Sequence, residues 1–110
     1  MPISTIDVTR LLPPKTFPLY FDTAQEKTLV WTEQNNKYFE LWGLIVSSVI
    51  DGEVKLVDEE GNLLFIALQV GARSPIVITS NIPMLKRSED IYISTTINDR
   101  HSIQVIGYEI

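Results

Sequence analysis

The 110-residue sequence has no cysteine. That excludes a disulfide framework, a thiolate metal site and a thiol nucleophile. It has one histidine, His101, so a His-based metal cage cannot be assembled. No further member of a triad is identifiable around His101: Asp99 is close in sequence, but neighbours in a turn rarely aim at one another. The five glycines are scattered singly, which leaves no glycine-rich phosphate loop. Ser47-Ser48 lacks the Gly-x-Ser-x-Gly elbow of a hydrolase nucleophile. Positive charge is scarce: nine Lys and Arg against fourteen Asp and Glu give a net charge of −5. A nucleic-acid partner, which is held by cations on phosphates, is not expected of that balance. The longest apolar stretch, Gly43 to Ile50, is broken by Ser47 and Ser48. A spanning helix needs about 20 such residues, so no membrane partner is expected. The first sixteen residues lack the charged-then-apolar layout of a signal peptide, which leads one to expect a chain that is cytoplasmic when made.

What the sequence does have is apolar material in short alternating runs. At 45% hydrophobic and 21% charged it reads as a folded chain, and its length suits one domain. Helical spacing never persists, while period-2 alternation recurs between turn signals. Strands are expected at 28–32, across a long stretch from Tyr38 to Ile50 that bends near Gly43, and at 53–57 and 63–69. Further strands are expected at 75–79, 91–95 and 102–108. Asp51-Gly52 reads as a hairpin turn, Asn35-Asn36 as a turn able to take a left-handed backbone, and Asn98-Asp99-Arg100 as a tight polar turn. Residues 81–90, with Pro83, read as irregular. Pro13, Pro14 and Pro18 make the chain before Thr28 extended and unfit for a central strand. The expected fold is therefore all-β: an antiparallel sandwich of about eight strands, jelly-roll-like, over residues 17–110, with an N-terminal arm or edge strand over 1–16.

The pieces Ile76-Val77-Ile78, Ile82-Pro83-Met84-Leu85, Glu89-Asp90-Ile91-Tyr92-Ile93 and Ile103 to Ile110 follow one another as strand, apolar segment, turn into a strand, and last strand. That succession resembles the ending of small jelly-roll modules in phage virion and tail-associated proteins. Upstream, Trp42–Val49 fits the inner strand and Val54–Leu68 the following hairpin, so the resemblance spans roughly residues 28–110. The sequence departs from that pattern at Glu89, where the turn usually carries glycine, and in the arm. The resemblance implies a non-enzymatic structural or assembly role, with the chain as part of a virion or virion-like particle. Its expected partner is itself, as a trimer or other cyclic ring, with other virion proteins or a glycan as further candidates.

Site candidates are few. Asp51, Glu53, Asp58, Glu59 and Glu60 face one base, Lys55, but lack the loop order of a calcium hand. They read as a solvated edge that repels other chains. No metal or cofactor is expected. Trp42, inside an apolar run, is expected in the core. Trp31, Tyr38 and Tyr20 are the candidates for a partner or ligand surface, Trp31 standing evenly between core and interface. Ile3, Ile6, Val8, Leu11 and Leu12 make the arm too apolar for water. They are expected on the chain's own sheet or on a neighbouring subunit. A carbohydrate- or ligand-binding sandwich is the alternative to the structural module.

Overall fold

The computed structural model of the protein describes residues 15–110. The arm residues Ile3, Ile6, Val8, Leu11 and Leu12 lie outside the described residues. Nine strands follow one another: β1 (Lys15–Phe21), β2 (Thr28–Trp31), β3 (Phe39–Ser48), β4 (Gly52–Val57), β5 (Leu68–Val70), β6 (Ile76–Thr79), β7 (Leu85–Arg87), β8 (Ile91–Thr95) and β9 (His101–Glu109). All their pairings are antiparallel. Sheet A runs β1-β9-β3-β6, with β7 also on β3, and sheet B runs β2-β8-β4-β5. The chain crosses from one sheet to the other at nearly every connection, and this strand order is that of a jelly roll.

Alternation decides which side chains go inside. His101, Ile103, Val105 and Gly107 of β9 are buried, as are Ile91, Ile93 and Thr95 of β8, while the residues between them are part-exposed. Leu41 and Leu44 of β3 are both buried because the β3–β9 register shifts between Leu41 and Gly43. This bulge is the bend expected near Gly43. The core joins the sheets through aromatics: Trp31 from sheet B lies 5.9 Å from the Phe39 ring of sheet A, and Phe39 meets Phe17 edge-on at 5.8 Å. Large rings fill the roughly 10 Å gap between sheets with few side chains. Asn36 takes the expected left-handed backbone, with φ 57°.

Several expectations need correction. Asp51-Gly52 does not close a hairpin: it carries the chain from β3 in sheet A to β4 in sheet B. The connection through Asn98-Asp99-Arg100, expected as a polar turn, also crosses between sheets, from β8 to β9. A turn dipeptide reverses the chain, but the burial of both flanking strands decides whether they pair or face each other. The strand expected at 63–69 is reduced to a single bridge, Val57 to Leu63, followed by β5. Ile66 is exposed, while Phe65 turns onto the core. β7 lies within the stretch read as irregular. β6 and β7 together make one interrupted edge strand on β3, and residues 80–84 bulge out between them. The N-terminal edge strand, expected within 1–16, is seen as β1 over Lys15–Phe21. It begins at Lys15, before the expected end of the arm, and takes the edge position that Pro18 permits.

Candidate functional site

The three aromatics expected on one surface are dispersed. Trp31 is 2% exposed and belongs to the core, which removes it from any ligand surface. Its inward phase on β2 follows from the register shift between Leu29 and Trp31. Tyr38 is 45% exposed and lies next to Ile110, with the Lys86 ammonium over its ring. Tyr20 is 80% exposed and pairs across the ladder with Ser102. From Ser102 to Ile110 is roughly 26 Å along a strand, so the two tyrosines cannot stack on one ligand. Trp42 is not core either. The bulge turns it to the outer face of sheet A, half-buried, where it meets Tyr108 edge-on at 5.5 Å and its indole N–H donates to Glu40 at 3.3 Å.

His101 is buried and bonded at both nitrogens. Nδ1 lies 2.7 Å from the Asp99 carbonyl, which only accepts, so Nδ1 donates there, and Nε2 is bonded to the Thr95 hydroxyl at 3.0 Å. Thr95 Oγ1 in turn receives the Gln25 N–H at 3.0 Å. This network fixes the chain where β8 crosses to β9, and it contains no carboxylate side chain. Ser48 bonds to the backbone of Ile50, and Ser47 to Ser102 at 2.9 Å.

The two ends of the sandwich differ in charge. Near the β2–β3 connection a shallow cleft is lined by Glu33, Asp58, Glu59, Glu60, Glu89 and Asp90, with Arg87 as the one cation. The Asp90 carboxylate accepts from the Glu33 backbone N–H at 2.5 Å and from the hydroxyls of Thr32 and Tyr92. The Glu33 bond above all holds its pKa below the usual carboxylate value. Asp58 is lowered in the same way, chiefly by the Asn62 backbone N–H. Removal from water and the nearby Asp90 charge push the Tyr92 phenol upward. Both aspartates thus brace turns of the acidic end. Among the described residues no group of three or more His, Asp and Glu is placed to hold a metal ion.

At the other end, where β3 crosses to β4, a cleft of about 540 Å³ is bordered by Tyr20, Phe21, Asp22, Ser47, Ser48, Val49, Arg73, Arg100, His101 and Ser102. Its floor is more apolar than the acidic cleft, and two arginines stand at its rim. Sequence reading missed both arginines. They come from the β5–β6 and β8–β9 connections, and only the jelly-roll crossover brings those together.

One long side of the molecule exposes large apolar side chains beside charged ones, the Lys86 and Arg87 of β7. β5 and β6 are edge strands of the two sheets, and both lie on the side away from β1 and β2. On this side Leu63, Ile66, Val77 and Ile82 are 52%, 59%, 63% and 60% exposed. Family models, curated proteins and solved structures were each compared with the chain, and none matches it.

Proposed function

We propose that the protein is a non-enzymatic structural module, a jelly roll of the phage-virion or tail-accessory kind, that works by assembling with copies of itself into a closed cyclic oligomer. The observation that carries this reading is the β5–β6 side. Sheet edges in proteins that stay apart are usually guarded by charge, proline or a covering element, because their free N–H and C=O groups recruit other strands. Here Pro75, Pro83 and the Lys86 and Arg87 of β7 guard the β6–β7 edge in part, yet four large apolar side chains stay exposed along it and beside β5. A second copy covers both features at once, burying the side chains and pairing the backbone. The acidic end disfavours contacts there between like copies.

Sedimentation or light scattering at micromolar concentration tests the reading. The expected mass is at least twice the 12.5 kDa of one chain, at a whole multiple of it. The double variant Ile66→Glu/Val77→Glu is expected to run as a monomer with unchanged circular dichroism. A wild-type chain that stays monomeric under these conditions overturns the proposal.

A further inference from the structure

The assembly reading leaves the cleft at the β3–β4 end unused, and the distribution of charge points to an occupant. Among the described residues, Lys37 and Lys55 pair with Glu109 and Glu53, and Arg87 with Glu89. Lys27 bonds the Glu59 carbonyl and lies over the Tyr92 ring, and Lys86 lies over Tyr38. Among the described residues, no carboxylate and no ring engages the guanidinium groups of Arg73 and Arg100, although the chain is acidic. Asp99, beside Arg100, turns its carboxylate to the Arg100 backbone N–H at 2.7 Å instead. Both free cations open on the same cleft.

The backbone is arranged to put them there. Arg73 sits at φ 57°, a left-handed conformation that residues with a β-carbon avoid and that Gly or Asn would adopt at lower cost. Its N–H is tied to the Ser48 carbonyl at 2.8 Å, and the preceding Ala72 N–H to the Asp51 carboxylate at 2.7 Å. The next residue along, Val49, donates its N–H to the Arg100 carbonyl at 3.2 Å. Two adjacent residues at the end of β3 therefore hold the two arginines on either side. That separates their backbones by about two strand spacings, roughly 10 Å, close enough for both side chains to reach one anionic group.

We propose that this cleft binds an acidic saccharide, a pyranose carrying a carboxylate or sulfate group. Guanidinium groups take such a group through paired N–H bonds. The remaining lining suits the sugar more than a bare anion. The 80%-exposed Tyr20 ring offers a face to the C–H side of a pyranose. The Ser47 and Ser102 hydroxyls, bonded to each other at 2.9 Å, keep capacity for sugar hydroxyls. Asp22, the one carboxylate on the cleft, accepts from further hydroxyls. The volume of about 540 Å³ falls within the range of small-ligand sites.

Calorimetry and amide chemical shifts test this with 3′-sialyllactose, lactose and sodium sulfate as probes, each on the full chain. Sialyllactose is expected to bind saturably and to shift the amides of Arg73, Arg100 and Ser102, with lactose at least about tenfold weaker. Arg73→Asn, which keeps a residue tolerant of the left-handed backbone, and Arg100→Gln are each expected to weaken sialyllactose about tenfold with the fold intact. Tyr20→Ala is expected to weaken sialyllactose and leave sulfate unchanged. The Ile66→Glu/Val77→Glu variant is expected to bind as the wild type does, so the result is read separately from assembly. Three results would overturn the proposal. One is no saturable sialyllactose binding. Another is sulfate binding as tightly as sialyllactose with no effect of Tyr20→Ala, which marks a plain anion site. The third is dissociation of an oligomer by Arg73→Asn, which marks the acidic end of a second copy as the occupant.

Discussion

Gly107 is the point where the backbones of β9 and β3 come too near each other for a side chain. A β-carbon there would run into the Glu40 carbonyl oxygen and lie 2.5 Å from Phe39 Cζ. The strand bulge beside it, at Leu41–Gly43, fixes that approach, so the clash cannot be relieved by moving one flexible group. Gly107→Ala is expected to destabilise the fold by about 1–3 kcal/mol, read as a lower midpoint in urea with an unchanged slope. Single residues also mark what the sequence hides. Trp31 and Trp42 both stand in apolar surroundings in the sequence, and either could have been core. What separates them is a one-residue register shift in each strand, which reverses the facing of everything beyond it. No side-chain pattern announces such a shift, although the glycine after Trp42 hints at one.

At the level of strands and turns, β8 and β9 were legible because their alternation is clean and each buries one face. β7 was not, since three residues beside a proline carry too little pattern. Nor was the destination of each turn legible, because chain reversal looks the same in sequence whether the next strand joins its own sheet or the opposite one. The cleft suffered most from this: Tyr20 could be picked out, but Arg73 and Arg100 had no reason to be linked. The turns themselves carry a pH dependence. Asp58 and Asp90 have lowered pKa values in the folded chain, so each contributes stability above the ordinary carboxylate value near 3.9. That contribution is lost as pH falls through the lowered values. Stability is expected to drop below about pH 4. Asp90→Asn is expected to be less stable than wild type at pH 7 and to converge with it in strong acid, as thermal melts across pH would show.

Taken whole, the molecule separates three surfaces: an acidic end, a cleft with two arginines at the other end, and between them a side with exposed apolar side chains. Their responses to salt should differ. At 1 M salt the screening length falls to about 3 Å, which weakens exposed charge contacts and leaves apolar burial intact. The oligomer mass is therefore expected to be the same at 0.1 M and 1 M sodium chloride, measured by sedimentation. Loss of the oligomer at high salt would instead place association at the charged ends.

The order of strands in sheet A has a consequence for biosynthesis. β9 lies between β1 and β3, yet it follows both in the chain. While the polypeptide leaves the ribosome, β1 and β3 have no common neighbour and each waits with an open flank. Closure of the sheet is postponed until His101–Glu109 emerges, and the slow, distant pairing typical of such folds, on the order of milliseconds to seconds, starts only then. Nascent chains stalled before that segment are the ones a cell has to shield.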